Sequence, residues 1–412
     1  MRSLATPAEA RVAGSDAPPD GPSLLIVATV AGTIRSFLAP YARHFRALGW
    51  RVEAAANGAT SDPALLRAFD RVHDIPLSRS IRDIRGLGRT QLALEGILAR
   101  PPDIVHVHTP IASFLTRLVV RRLPVERRPA VAYTAHGFHF HAAGNPLTNA
   151  AFVTAERLAG RWTDRLIVIS DEDEAAARRH RIVPSRRLVH MPGIGVDTSF
   201  YAPASAPVEA TAAFRRGLGI PPDAPVFVIV GELYRRKRPA DGISALAALR
   251  AGGAHLVFAG RGPEREALEA QAREAGLTDR VHLLGEVADI RPVVRSATAL
   301  LLLSTREGLA RAVMEALSLE VPVVASTARG NDELLGTDRG VLFETGSIGD
   351  LAAALQWMID HPTERREMAL RGRAHMIERY DLPILIRMHE DLYRSMLADR
   401  GITFEMGSSN TK

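Results

Sequence analysis

Several residue types and patterns are missing from this sequence or rare in it. It contains no cysteine, which excludes disulfide bridges and thiolate metal sites and is typical of proteins of a reducing cytoplasm. Only two of its 52 basic residues are lysines, Lys237 and Lys412. No apolar run approaches the roughly 20 residues that a membrane-spanning helix needs, and the first residues lack the apolar core of a signal peptide. We therefore expect a cytoplasmic protein.

The motifs of two large functional classes are also missing. The first predicted strand, residues 24–29, is not followed by a G-x-G-x-x-G turn, which disfavours a nicotinamide-binding domain. No basic run with interleaved aromatic residues indicates nucleic-acid binding. The formal net charge of +6 is modest and suits an anionic small molecule or an anionic membrane surface.

The length of 412 residues predicts two domains, and 46% hydrophobic residues are enough for two cores. Short apolar strands alternate with helices in both halves, which predicts an α/β fold with parallel sheets. The predicted order is a disordered tail (1–23), a first domain (24–200), a linker (201–224), a second domain (225–380), a helix that packs back on the first domain (381–399) and a disordered tail (400–412).

One stretch of the second domain carries the strongest chemical signal. Four leucines, residues 300–303, predict a strand buried on both faces, followed by a loop, a helix over 310–319 and a second buried strand over 322–326. The loop lies at the positive end of the helix, where backbone N–H groups bind phosphate. Glu307 and Glu315 flank these donors and suit a ligand with a diphosphate, a sugar and a ribose. The alternative interpretation is structural: Glu307 caps the helix and Glu315 lies on its solvated face.

The spacing Glu307-x7-Glu315, with Gly308 after the first acid, resembles the signature of retaining glycosyltransferases of the GT-B fold, family 4. The run PVVAS and then RGNDELL, residues 329–335, strengthen the resemblance. HVHTP, AHGFHFH and PGIGVD in the first domain look like the exopolysaccharide branch of that family. The resemblance implies two facing Rossmann-like domains with a deep interdomain cleft, and a UDP-sugar held chiefly by the second domain.

It also implies roles for individual residues. Glu307 would contact the donor sugar at the reacting centre, and His136 would hydrogen-bond that sugar. Lys237, the one internal lysine, follows the strand 226–230, and strand ends of this kind face the ligand in parallel sheets, so we expect it to hold the diphosphate. The residues expected to bind the nucleotide sugar are Gly32, Arg236, Lys237, Gly262, Gly308, Leu309, Arg311, Ala312 and Glu315.

The sequence departs from the family pattern at three positions. Glu232 stands where family members often carry an arginine of the diphosphate clamp, so Arg235, Arg236 or Arg329 is expected to supply the second cation. Ala310 replaces the usual proline and Glu320 the usual glycine, and neither change touches the expected chemistry.

By this resemblance the protein moves a hexose or N-acetylhexosamine from a UDP-sugar to a lipid-linked saccharide, with retention, in exopolysaccharide synthesis at the inner membrane face. No metal or other cofactor is expected. Two alternatives are a UDP-sugar epimerase of the same fold and a non-catalytic protein that binds nucleotide sugars.

Two clusters of side chains have competing interpretations. A zinc site of His136, His139 and His141 with His106 and His108 is disfavoured, because no carboxylate is near and successive strand residues point to opposite faces. Five arginines at the end of a predicted helix are either a solvated helix end or a patch for anionic lipid: Arg117, Arg121, Arg122, Arg127 and Arg128.

Overall fold

The computed structural model of the chain describes residues 9–11, 21–77, 83–140, 144–250, 252–328 and 330–402. They form two compact units. Unit 1 comprises Met1–Ile194 and Leu385–Lys412, and unit 2 comprises Gly195–Ile384. The division therefore lies at Ile194, before the predicted domain end at residue 200.

Unit 1 is built on a sheet with the strand order β1-β4-β3-β2-β5-β6-β7-β8. All neighbouring strands run parallel except β1, which pairs antiparallel with β4. The strands are β1 (Glu9–Arg11), β2 (Ser23–Val30), β3 (Arg51–Asn57), β4 (Arg71–Asp74), β5 (Ile104–His108), β6 (Ala130–Ala135), β7 (Arg165–Val168) and β8 (Leu188–His190).

The helices of unit 1 connect these strands. Several begin at a residue whose side chain caps the first backbone N–H groups, such as Asp62, Asn145 and Ser170. The α-helices are α1 (Ala31–Thr33), α2 (Ala39–Ala47), α3 (Pro63–Ala68), α4 (Ile84–Ile97), α5 (Pro110–Arg122), α6 (Pro146–Gly160) and α7 (Asp171–Arg179), with a π-helical segment (Ile34–Leu38) and 3-10 turns (Ala59–Ser61, Val125–Arg127, Ser185–Arg187).

Unit 2 is built on a wholly parallel sheet with the order β11-β10-β9-β12-β13-β14. Its strands are short and apolar because helices cover both faces of such a sheet; Leu300 and Leu301, for example, are buried. The strands are β9 (Val226–Val230), β10 (His255–Ala259), β11 (Val281–Gly285), β12 (Ala299–Leu302), β13 (Val323–Ser326) and β14 (Val341–Phe343).

The helices of unit 2 include the one expected from the stretch around Glu315. The α-helices are α8 (Val208–Gly217), α9 (Pro239–Ala248), α10 (Arg265–Glu274), α11 (Arg291–Arg295), α12 (Arg311–Ser318), α13 (Asn331–Leu335), α14 (Ile348–Asp360) and α15 (Pro362–His375), with a π-helical segment (Met376–Tyr380) and 3-10 turns (Pro203–Ser205, Arg235–Lys237). The last helix, α16 (Leu382–Ala398), begins in unit 2 and belongs to unit 1 from Leu385 onward. No described helix is both long and apolar enough to cross a membrane.

The predicted α/β class with two parallel sheets is confirmed, but several local predictions are wrong. The N-terminal segment predicted to be disordered contributes β1, and the linker predicted over 201–224 contains α8, which packs on α11. Gly32 was expected in a loop and lies instead in α1, the first turn of a continuous helical segment that starts directly after β2. Of the predicted tail 400–412, all but three residues lie outside the described part.

Arg117 is not part of an exposed basic patch. Its side chain is 1% exposed, forms an ion pair of 3.2 Å with Glu156 and lies 4.3 Å from the ring centre of Tyr133. Arg117 therefore neutralises a carboxylate inside unit 1, and an unpaired charge there would be costly. Arg121, Arg122 and Arg127 are exposed, as either interpretation of the patch requires.

Candidate functional site

In unit 2 the sheet order places a ligand crevice at β9 and β12. These strands are neighbours, and the chain continues from β9 to β10 and β11 on one side and from β12 to β13 and β14 on the other. Ligands of open parallel sheets bind outside the carboxyl ends of the strands at such a switch in direction. The loop after β9 carries Lys237, and the loop after β12 carries Glu307.

These two loops are in direct contact. The Lys237 ammonium donates to Glu307 Oε1, and both side chains are mostly buried, with 22% and 12% exposed. The backbone N–H of Thr305 donates to the Arg236 carbonyl at 3.0 Å, which holds one loop against the other. The structure thus brings together the predicted cation and the predicted catalytic carboxylate, which are 70 residues apart in the sequence.

The N-terminus of α12 has no side-chain cap. The Ala312 N–H donates to no other residue in the described part of the chain. Free backbone N–H groups at the N-terminus of a helix can bind an anionic group of a ligand. Glu307 therefore does not cap this helix, contrary to the alternative considered from the sequence, and its carboxylate is held by Lys237 instead.

Glu315 is 5% exposed and lies inside unit 2, so the alternative of a solvated helix face is also wrong. The Arg311 guanidinium donates to it at 2.6 Å and also contacts the Tyr201 hydroxyl at 3.5 Å. Burial and the neighbouring Glu315 carboxylate raise the pKa of Tyr201. The pKa of Arg311 is raised because the attraction of Glu315 and Tyr201 outweighs the effect of burial. This cluster pairs the buried Glu315 carboxylate with a guanidinium in the same helix as the predicted phosphate site.

Glycines allow the neighbouring loops to approach closely. A Cβ on Gly262 would lie 2.3 Å from the Leu233 carbonyl oxygen, and one on Gly330 would lie 2.0 Å from the Gly308 carbonyl oxygen. Gly330 also has a φ of +82°, which glycine adopts readily. Gly262 therefore packs against the loop after β9, and Gly330 packs against Gly308 in the loop between β12 and α12. Leu309, half-buried, packs on the apolar core beneath that loop.

The second cation of the predicted diphosphate clamp has two candidates in the described part. Arg236 is 56% exposed and pairs loosely with Glu232 at 3.7 Å. The Arg235 side chain is exposed and makes no hydrogen bond or ion pair with another described residue. Arg329, the third candidate, lies outside the described residues.

Unit 1 has its own switch in strand direction, between β2 and β5. Gly32 follows β2, and a Cβ there would meet no atom within 4 Å. Thr109 follows β5 with a φ of +64°, a strained conformation for a β-branched residue. Its hydroxyl shares a hydrogen bond of 2.7 Å with that of Thr29, which fixes the two strand ends together.

His136 lies directly after β6, next to β5, and shares a hydrogen bond of 3.0 Å with His108. His108 is fully buried, and its Nε2 has no partner in the described residues. The neighbouring His106 bonds the Tyr393 hydroxyl of α16 and, at 2.7 Å, the Thr134 hydroxyl. His136 is therefore the end of a chain of aromatic polar groups that reaches the last helix of unit 1.

These histidines are neutral at ordinary pH. Burial lowers the pKa of His136 to about 4, against the opposing attraction of the Asp173 carboxylate. Burial also lowers the pKa of His389 to about 4 and holds the pKa values of His106 and His108 well below their usual range. A neutral imidazole offers one donor and one acceptor, which suits a sugar hydroxyl.

Comparison with known protein families shows which family the chain belongs to. The family described as Glycosyltransferase Family 4 matches residues 37–200, and the one described as Glycosyl transferases group 1 matches residues 211–375. EpsD of Bacillus subtilis (strain 168), which is named as a glycosyltransferase, is 32% identical over 354 residues, or 85% of this chain and 91% of EpsD. The chain belongs to the family 4 glycosyltransferases.

Other relatives and solved structures are similar to this glycosyltransferase. The Escherichia coli UDP-Gal:alpha-D-GlcNAc-diphosphoundecaprenol alpha-1,3-galactosyltransferase is 26% identical over 72% of this chain and 76% of its own. Anabaena HepE, crystallised with UDP and glucose, has a TM-score of 0.76 at 19% identity over 91% of this chain and all of its own. Sucrose-phosphate synthase of Thermosynechococcus elongatus has a TM-score of 0.77 at 19% identity over 92% of this chain and 100% of its own. The predicted GT-B fold is confirmed.

Within the part of the glycosyltransferase that the structure describes, one group of three side chains has the geometry of a metal site. Asp171, Glu174 and His190 of unit 1 place their donor atoms within 4.8 Å of one another. The Arg178 guanidinium already pairs with Glu174 at 2.6 Å, and Asp171 is largely exposed. The histidines considered for zinc do not form such a group: His139 is exposed and lies against Phe152, and His141 is outside the described residues.

Three residues of the candidate site were not assigned to it from the sequence. Tyr201, in the stretch taken for a linker, completes the Arg311–Glu315 cluster, and nothing local signals this role. Thr109 has its positive φ where the chain leaves β5, and the sequence around it does not indicate this conformation. His108 had a usable signal, since alternate residues of a strand share a face and place it beside His106.

We predict that unit 1 of the glycosyltransferase loses stability on mild acidification. The pKa of His389 lies near 4 in the folded chain and near 6.5 in the unfolded one, so the unfolded state binds more protons between these values. The free energy of unfolding should therefore fall with pH through this window, by up to about 1.4 kcal/mol per pH unit for each such histidine. The measurement is the thermal midpoint between pH 7 and pH 5.

His389→Phe keeps a ring beside Tyr41 and removes one proton site. The variant should lose less stability than the parent over the same pH range. All other titratable groups are the same in the two proteins, so the difference reports on His389. Parallel pH profiles would mean that His389 takes up its proton without cost in the folded chain.

Proposed function

We propose that this glycosyltransferase transfers a hexose or N-acetylhexosamine from a UDP-sugar to a lipid-linked saccharide, with retention, in surface-polysaccharide synthesis at the inner membrane face. The observation that carries the proposal is the contact of Lys237 with Glu307 where β9 and β12 end. A UDP donor is supported by HepE, whose structure contains UDP and glucose. A lipid-linked acceptor is supported by the Escherichia coli relative, which is named for a diphosphoundecaprenol substrate.

The leaving diphosphate determines what the site must supply. Negative charge grows on that group as its bond to the sugar breaks, and fixed positive groups near it lower the barrier. Lys237 has three N–H donors, so it can keep Glu307 and bind a phosphate oxygen at the same time. The Ala312 N–H at the start of α12 adds a backbone donor, and Arg235 adds an unpaired guanidinium.

Glu307 acts on the sugar side of the same bond. Positive charge develops on the sugar ring in the transition state, and a carboxylate 12% exposed is screened less by water than a surface carboxylate. On unit 1, neutral His136 donates to or accepts from a sugar hydroxyl, with its tautomer set by His108. The buried Glu315 accepts from the ribose hydroxyls, and Gly262 lets the nucleotide lie close to the backbone.

We also propose that transfer needs no metal ion, because Lys237, Arg235 and the α12 N-terminus supply the positive charge. The test is a panel of nucleotide sugars in a thermal-shift assay, since a ligand at 100 times its Kd stabilises by about 2.7 kcal/mol. UDP release is then measured with the best donor, with and without lipid-linked acceptor, in excess EDTA. UDP release that requires acceptor and survives EDTA supports the proposal.

Other outcomes identify the alternatives. Conversion of the donor without acceptor would indicate an epimerase, and binding without turnover a non-catalytic protein. Activity lost in EDTA and restored by Mn²⁺ would refute metal independence.

Glu307→Gln should slow transfer by about a hundredfold or more, the size of effect of one electrostatic group in a transition state. UDP affinity should change far less, because UDP lacks the sugar that Glu307 faces. The measurements are kcat by UDP release and Kd for UDP by calorimetry. Equal losses in both would mean that Glu307 only holds the loop through Lys237.

Lys237→Ala should weaken UDP binding and slow transfer together, each by about ten- to a hundredfold, the range of one hydrogen bond to a charged group. Lys237→Arg keeps the charge but replaces a compact ammonium with a wide planar fork, so it should recover only part of the rate. Arg265→Ala removes one exposed charge from the same unit and is the matched control. Transfer at the parent rate in both Lys237 variants would place the diphosphate clamp elsewhere.

A further inference from the structure

A cavity of about 980 Å³ in unit 1 is lined by an unusual number of arginines. It lies between the C-terminal ends of α6 and α7 and the segment that leads into β8. Arg157, Arg161 and Arg181 have side chains without a hydrogen bond or ion pair to another residue of the described part. Arg178 pairs with Glu174, and Arg187 donates to the Thr163 carbonyl.

The floor of this cavity is apolar. Ile182 and Val183 are 3% and 8% exposed, and Gly160 brings α6 against them, since a Cβ on Gly160 would lie 2.0 Å from the Ile182 carbonyl oxygen. Unpaired guanidinium groups around one space repel each other, and an anion between them removes this cost. The cavity therefore suits a phosphate group attached to an apolar chain.

The helix that forms one wall exposes an apolar face. Leu147, Ala151, Thr154 and Leu158 follow the helical spacing of four, three and four residues and are all exposed, with Leu147 83% and Leu158 41% accessible. The stripe ends at the cavity, which Thr154 and Leu158 line. An exposed apolar stripe that ends among arginines is typical of helices that lie in a membrane interface.

The cavity is remote from the reacting groups of unit 1. It is formed by residues just before β7 and β8, whereas His136 follows β6. These strands are parallel, so the cavity lies at their amino ends and His136 at the carboxyl ends, on opposite edges of the sheet. A phosphate in the cavity is therefore not the diphosphate next to the transferred sugar.

We propose that the α6 face and this cavity form a docking surface for anionic phospholipid, with headgroup phosphates among Arg157, Arg161 and Arg181 and Leu147 in the acyl boundary. The proposal rests on the lipid-linked acceptor of the proposed function, which lies in such a membrane. It involves other arginines than the five considered for anionic lipid from the sequence, of which Arg117 is buried.

The experiment is co-sedimentation of the full-length protein with vesicles of phosphatidylcholine, with or without phosphatidylglycerol. The parent protein should bind only the anionic vesicles, and binding should weaken with salt. The triple variant Arg157→Gln, Arg161→Gln and Arg181→Gln should bind about a hundredfold more weakly, because each basic residue near the surface contributes severalfold. Leu147→Ser should also weaken binding, since it removes an apolar anchor.

Matched controls separate this surface from general charge. Arg216→Gln, Arg273→Gln and Arg366→Gln remove the same charge from exposed positions of unit 2, and Val208→Ser removes an apolar side chain that is 78% exposed there. Both controls should bind anionic vesicles like the parent. A triple variant of the cavity that binds like the parent, or equal losses in the unit 2 control, would overturn the proposal.

Two further measurements distinguish a lipid headgroup from a soluble anion, and failure of the docking surface from failure of the proposed function. Inorganic phosphate that stabilises the parent but not the cavity variant, with no vesicle binding, would make this a site for a soluble anion and refute membrane docking. The thermal shift with UDP should be the same for the parent and the cavity variant. Vesicle binding without any nucleotide-sugar turnover would support the surface and refute the transferase assignment, whereas turnover without vesicle binding would do the reverse.

Discussion

The site of unit 2 depends on the contact between Lys237 and Glu307, and that contact depends on the order of the strands. Parallel strands have their carboxyl ends at one edge, and the adjacency of β9 and β12 brings two loops together that are far apart in the sequence. Both side chains are mostly buried, and their ion pair means that neither charge is left buried without a partner. An ammonium has more donors than Glu307 uses, so under the proposed function Lys237 binds a diphosphate oxygen without losing its contact with Glu307.

The two units hold the buried polar side chains of the candidate site in opposite ways, as paired charges in unit 2 and as neutral groups in unit 1. Unit 2 pairs its buried carboxylates with basic side chains, as Arg311 does for Glu315. Unit 1 instead buries imidazoles in contact with each other, which keeps them neutral, since one protonated ring would lie against His106 or His108 in a poorly solvated place. Groups that meet a phosphate need full charge, whereas a group that meets a sugar hydroxyl needs a fixed donor and acceptor. The proposed function accounts for this division, since a nucleotide sugar carries both phosphates and sugar hydroxyls.

The local part of this arrangement could be predicted from the sequence, and the tertiary part could not. The leucine run at 300–303 and the helix after it were predicted because burial on both strand faces leaves a continuous apolar pattern. The switch between β9 and β12 leaves no such pattern, because strand order is set by packing of the whole sheet. Arg117 was misassigned for the same reason: its partner Glu156 lies 39 residues away on another helix. Gly32 was predicted in a loop because glycine is a poor helix former, yet the helical segment after β2 begins before it.

Glu232 stands where the resemblance leads one to expect an arginine, and the surrounding loop offsets the charge of this carboxylate. A carboxylate beside a diphosphate would repel it, but Arg236 lies 3.7 Å from Glu232 and offsets its charge. Both side chains are more than half exposed, and such pairs contribute little stability, so Arg236 can turn toward a phosphate at small cost. The loop 232–237 carries one acid against three bases; Lys237 is paired with Glu307, so Arg235 is the base that makes no ion pair with another described residue. Under the proposed function, the positive charge of the diphosphate clamp is supplied by neighbours in the same loop, and Arg235 takes the place of the arginine that the resemblance expects at position 232.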